Sequence, residues 1–202
     1  MRTYRVIAGV TGVVGVLGAV GSQVATVSAD RTFATTSTVA QSLISIGVPF
    51  IGAVAGARRE KSLYKLAFGY AVGLAAVGLI ASILVALLVP STSNDLWQHA
   101  PMIVIGSFVT QLVAQSLGTG LGLLIGRGVI ASILTIVPPL AVYAVLAAIG
   151  PGVRRLTPYG SAQLWWKGTF SGSDVLPFLV MVAIWGVALN VLGLYVARSR
   201  QA

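Results

Sequence analysis

The chain has no cysteine, one histidine and four acidic residues in 202 positions. Without cysteine there are no disulfides, no thiolate metal sites and no cysteine nucleophile. The four acids, Asp30, Glu60, Asp95 and Asp174, leave almost no material for general acid–base catalysis, and none lies inside an apolar run. His99 stands in a polar loop beside Trp97 and Pro101, a setting that reads as solvated rather than ligating. No G-x-x-x-x-G-K-[ST], H-E-x-x-H or G-x-S-x-G occurs, so the chain hydrolyses no nucleotide by itself. No catalytic residue, metal or cofactor is expected, and the chain is not read as an enzyme. Charge is scarce too: 8% of residues are charged, about a third of the roughly 25% of a soluble domain. Water could not wet such a surface, so the surrounding medium is largely lipid.

What is present is apolar. Hydrophobic residues make up 56% of the chain, and the mean hydropathy is +0.94. A bilayer-crossing helix needs about 20 apolar residues. Six such runs lie at about Val6–Val27, Thr38–Ala57, Leu66–Val89, Met102–Ile125, Val129–Ile149 and Val175–Ala197. The expectation is an all-α integral membrane protein, one transmembrane domain over residues 1–202. Only "GRG", Gly126 to Gly128, parts the fourth and fifth runs. Without it the run from Met102 to Ile149 would be too long for one crossing, so a tight helical hairpin is expected there.

Charge sidedness orients the model. With the N-terminus inside, nine cations fall inside: Arg2, Arg5, Arg58, Arg59, Lys61, Lys65, Arg127, Arg198 and Arg200. Four fall outside: Arg31, Arg154, Arg155 and Lys167. That bias follows the positive-inside rule and accounts for the net charge of +9 without a nucleic-acid partner. Six spans with both termini cytoplasmic, in the cell membrane, is the consistent topology. "MRTYR", an apolar run and "VSA" before Asp30 imitate a signal peptide. The run is longer than the usual 7–15 residues, and a retained first span is expected.

Polar residues within the spans are mild: Gln23, Gln41, Gln111, Gln115 and Asn190. No buried charge is available for a proton relay or voltage sensor. Gln111 and Gln115 share one face of the fourth span, where they either line a polar path or hydrogen-bond between helices. Gly9, Gly12, Gly15, Gly18 and Gly21 form a smooth groove on the first span, a feature of close packing. Pro138 and Pro139 should kink the fifth span, each removing a backbone donor.

The segment Gly150 to Asp174 is the longest non-spanning piece. Its aromatics Tyr159, Trp165, Trp166 and Phe170 suit the outer interface. "TPYGSAQLWWKG" is expected as a short interfacial helix capped by Thr157 before Pro158. At the opposite side, "ARREKSLYKL" (Ala57 to Leu66) packs four cations and Glu60 between two apolar runs. Anchoring to anionic headgroups, at about 1 kcal/mol per cation, explains Arg58, Arg59, Lys61 and Lys65. It does not require Glu60, Leu63 or Tyr64, which would form a helical turn with a readable face.

The C-terminal half, Gln115 to Ala202, resembles the permease subunits of type-2 ABC exporters. "SLGTGLGLLIGRGVIASILTIVPPLAVYAVL" is similar to that family's glycine-rich fourth span, basic turn and fifth span. "RRLTPYGSAQLWWKG" resembles its outer loop, and "LYVARSRQA" its Arg-rich tail. The resemblance implies a membrane subunit that works as a homo- or heterodimer and exports under the drive of a cytoplasmic ABC ATPase. It makes the link between the second and third spans the ATPase-coupling element, with Arg58, Arg59, Glu60, Lys61, Tyr64 and Lys65 as contacts. Gln111 and Gln115, by their shared face of the fourth span, are the candidates to line the pathway. The resemblance also implies short re-entrant helices over about residues 151–173, with Tyr159, Trp165 and Trp166 at the outer gate. Two departures stand out: only "MRTYR" precedes the first span, where the family carries an amphipathic helix, and the link lacks the family's acidic-glycine-threonine character. A non-transporting accessory, immunity or assembly protein is the alternative. A small secondary transporter would favour inverted repeats or buried charges, and neither is detected.

Overall fold

The computed structural model describes residues 2–150 and 152–200, with Lys61 described through its backbone alone. Met1, Pro151, Gln201 and Ala202 of the segments quoted above lie outside the described residues. Among these there is no strand. Four long helices come first: α1 (Arg2–Ala25), α2 (Phe33–Arg58), α3 (Lys61–Leu88) and α4 (Ala100–Ile125). The fifth span is broken into α5 (Gly128–Leu134) and α6 (Val137–Ile149). A short α7 (Pro158–Trp166) follows. The last span is α8 (Val175–Met181), a π-helical segment (Val182–Ala188) and α9 (Leu189–Ser199). Six of these helical stretches are long and apolar enough to cross a membrane, consistent with a multi-pass membrane protein.

Local chemistry sets the boundaries. The Thr32 hydroxyl accepts from the Thr35 N–H at 3.1 Å and caps α2, so this helix begins earlier than the Thr38 expected from hydropathy. Its polar first turns hide in the fold, with Thr36 and Ser37 fully buried. α2 ends at Arg59, a non-glycine residue in the left-handed region (φ 59°), whose N–H returns to Ala55 and Gly56 carbonyls. α3 starts two residues later. At the "GRG" turn Gly126 adopts φ 73° and its N–H bonds the Gly122 carbonyl at 2.8 Å, closing α4. The expected hairpin is present there.

The fifth span breaks at Thr135 and Ile136, one turn before the prolines. Pro138 and Pro139 have no N–H, so the carbonyls of Leu134 and Thr135 lose their helical donors and the helix parts at that point. The π segment in the last span carries no such punctuation.

α2 is the hub, packed against α1, α3, α4 and α5, while α4 also carries α7 and α9. The α2–α4 crossing is built from two facing small-residue pairs, Gly52 with Gly56 and Gly118 with Gly122. A methyl on Gly52 would stand 2.5 Å from the Gln115 carbonyl oxygen, and one on Gly122 would stand 2.9 Å from the Ala53 carbonyl carbon. Such pairs let helix backbones touch in lipid. The α1 glycines divide: Gly15 and Gly18 face Ile44 and Leu43 of α2, whereas Gly9 and Gly21 meet nothing.

The surface is inside-out relative to a soluble protein. Gln41, Gln111 and Gln115 are fully buried, while Val10, Leu17, Leu87 and Val145 are each at least 60% exposed. Burying glutamine and exposing valine costs free energy in water and gains it in hydrocarbon.

Candidate functional site

One end of the bundle gathers most of the chain's cations. The Arg58 guanidinium lies 5.6 Å over the Tyr4 ring of α1. Arg59 donates to the Ala197 carbonyl near the end of α9, and Arg200 reaches the Ile125 carbonyl at 3.5 Å. These contacts place both ends of the described chain, the α2–α3 turn and the α4–α5 turn on the same side. Lys65, Arg127 and Arg198 are exposed there, and so is Glu60.

The residues suggested for ATPase contact differ in their surroundings. Arg58 and Arg59 engage their own chain. Glu60 begins α3 without a side-chain cap, Tyr64 is half-buried and Lys65 points outward. The Lys61 side chain lies outside the described residues. The turn between the helices is two residues long, so Leu63 and Tyr64 belong to the first turn of α3 and Leu63 packs into the core.

The opposite end is closed by α7. Thr157 caps it as expected, its hydroxyl accepting from the Gly160 N–H at 3.1 Å. Trp166 is 1% exposed, and its indole N–H donates to the Thr110 hydroxyl at 3.0 Å. Trp165 fits against Gly106, where a methyl would approach its Cβ to 2.5 Å, and stacks on Phe170 at 3.9 Å. Tyr159 meets Tyr143 of α6 edge-on at 5.0 Å. The segment after α7 is pinned by an ion pair between Arg155 and the buried Asp174, whose carboxylate also accepts from the Ser171 N–H and hydroxyl.

Between these ends lies a cavity of about 330 Å³, at the lower edge of the roughly 300–1,000 Å³ of ligand pockets. α2 supplies Ser42, Ser45 and Pro49; α4 supplies Thr110 and Ala114. Thr135 and Pro139 close it from the broken span, Tyr159 from α7 and Met181 from α8. Ser45 and Ala114 lie near the middle of their helices, and Pro139 near the middle of the broken stretch Gly128–Ile149, so the cavity is at mid-depth in the bundle.

Gln111 and Gln115 point elsewhere. The Gln111 amide donates to the Gln41 backbone carbonyl at 3.1 Å and to the Gln41 side-chain oxygen at 3.0 Å. Gln41 in turn donates to the Ala75 carbonyl of α3 at 3.0 Å. Gln115 donates to Thr119 on its own helix at 3.2 Å. The Gln111 and Gln41 bonds join α2, α3 and α4, and neither Gln111 nor Gln115 lines the cavity.

No known family model, curated protein or solved structure matches the chain.

Sequence reading did not single out the hydroxyls of Ser42, Ser45, Thr110 and Thr135, nor Met181. The available signal was Ser42 and Ser45 spaced one helical turn apart within an apolar run. The prolines of the fifth span pointed to the same region.

Proposed function

We propose that the chain is the membrane-spanning permease subunit of an ATP-driven exporter of the type-2 ABC class, a multi-pass protein of the cell membrane. It works as a homo- or heterodimer in contact with membrane lipid, with a cytoplasmic ATPase bound at the cation-rich end. The observation that carries this reading is α7. Its tryptophans meet Gly106 and Thr110, about 9 and 15 Å along α4 from its start at 1.5 Å per residue. A short helix that dips this far and returns without crossing fits the re-entrant outer-loop helices of such permeases. The nine-to-four sidedness of the cations supports cytoplasmic termini.

One observation favours the alternative, a non-transporting accessory, immunity or assembly protein. The α2–α3 turn is short, and Arg58 and Arg59 are engaged within the chain. Affinity purification from native membranes separates the readings. The permease reading expects an ATPase with a phosphate-binding loop to co-purify, and its ATP turnover to fall when Lys65→Glu and Arg58→Glu are combined. Isolation without any nucleotide-binding partner overturns it. Unchanged turnover in the double variant favours the accessory role.

A further inference from the structure

We propose that the mid-depth cavity binds a small neutral lipophile bearing a hydroxyl group, taken from the hydrocarbon of the bilayer. The site lies within one copy of the chain and stands whether or not an ATPase is attached.

Size limits the ligand first. At about 30 Å³ per water-sized atom, about 330 Å³ holds roughly eleven such atoms. That suits a ten-carbon alcohol and is far too small for a phospholipid. The route of access follows from the rim. Ile46 and Leu140, at the cavity's edge, are 47% and 45% exposed, and at this depth an exposed face meets hydrocarbon, not water.

Polarity then selects the chemistry. The lining contains no acid and no base, so a carboxylate or ammonium would enter unpaired at prohibitive cost. Four lining hydroxyls have already committed their hydrogens. Ser42 donates to the Thr38 carbonyl, Ser45 to Ser42, Thr110 to Ser107 and Thr135 to Ser132. What they offer the cavity is oxygen lone pairs. The Thr135 carbonyl adds another acceptor, since Pro139 cannot supply its helical donor. Among the described residues, Tyr159 is the one lining hydroxyl without an acceptor of its own. A site with several acceptors and one donor fits a hydroxyl, which both gives and takes a hydrogen bond. A plain hydrocarbon would leave those groups unmet.

The test uses the full chain in nanodiscs of unbrominated phosphatidylcholine, titrated with 10-bromodecan-1-ol. Trp166 bonds to Thr110 on the cavity wall, so a bound bromine quenches its fluorescence. The expected result is saturable quenching that n-decanol reverses about tenfold more effectively than n-decane or decanoate. Ala114→Phe, which fills the space, should abolish the saturable component. Tyr159→Phe, which removes only the hydroxyl, should weaken binding about fivefold. Quenching that rises linearly with bromodecanol would mean simple partitioning into lipid and overturns the proposal. So would equal competition by decane and decanol. If Ala114→Phe fails to fold, Tyr159→Phe and the decane comparison still decide.

Discussion

The Arg59 guanidinium donates to the carbonyl of Ala197 at 3.2 Å, joining positions 138 residues apart in the chain. Arg59 does this from a left-handed backbone conformation (φ 59°) that favours glycine. The side chain and the backbone of this residue therefore pull in opposite directions.

That opposition gives a graded prediction. Arg59→Ala loses the bond and keeps the strained conformation. Arg59→Gly loses the same bond but relieves the backbone by about 1 kcal/mol. Thermal unfolding in detergent should rank wild type above Arg59→Gly above Arg59→Ala. Both variants should free the end of α9, seen as faster trypsin cleavage at Arg198.

Thr110 should reveal the price of an orphaned indole. Thr110→Val leaves the buried Trp166 N–H without an acceptor and should cost about 1–3 kcal/mol. Thr110→Ser keeps the oxygen and should cost less than half as much. Equal losses in chemical unfolding would mean that the hydrogen bond contributes nothing.

The glycines should behave in two classes. Gly118→Ala would place a methyl 2.8 Å from the Pro49 carbonyl carbon, and overpacking of this kind costs about 1–3 kcal/mol. Gly73 meets nothing within 4 Å, so Gly73→Ala should be neutral, or stabilising by up to about 1 kcal/mol. Yield and melting temperature after membrane extraction distinguish the two. A folded Gly118→Ala with unchanged melting would show that the α2–α4 crossing can yield.

Gln111→Leu tests what the buried amides do. It removes two hydrogen bonds to Gln41, each worth about 0.6 kcal/mol in a membrane interior. It also removes a buried Gln111 carbonyl oxygen that has no partner. Because the buried Gln41 side-chain oxygen then loses its donor, the net loss should be about 1–3 kcal/mol, read as a drop in melting temperature. With a co-purified ATPase in hand, unchanged turnover and transport would mark the residue as interhelical glue.

Hydropathy read the six membrane-length helices well, because apolar runs of about 20 residues are what a bilayer-crossing helix requires. Helix starts were harder. Phe33 to Ser37 looks like loop because of its threonines and serine, yet Thr36 donates its hydroxyl hydrogen back to Thr32 and so hides in the helix. The kink of the fifth span was legible in Pro138 and Pro139. The π segment from Val182 to Ala188 was not, since it contains no proline and only an unremarkable Gly186. The gathering of Arg58, Arg59 and Arg200 at one end of the bundle was legible in the charge pattern. The bonds within that end were not, because Arg59 and Ala197 meet only once the bundle is assembled.

The first four helices are unbroken, and α2 and α4 meet backbone to backbone, whereas the last two long helical stretches each carry a joint. Thr135 belongs to one joint and Met181 borders the other, and both face the same hollow. The chain therefore resembles a fixed frame with two elbows that share one socket. Whatever fills that socket bears on both elbows at once, so the volume of its contents and the bend of the two arms are a single mechanical variable.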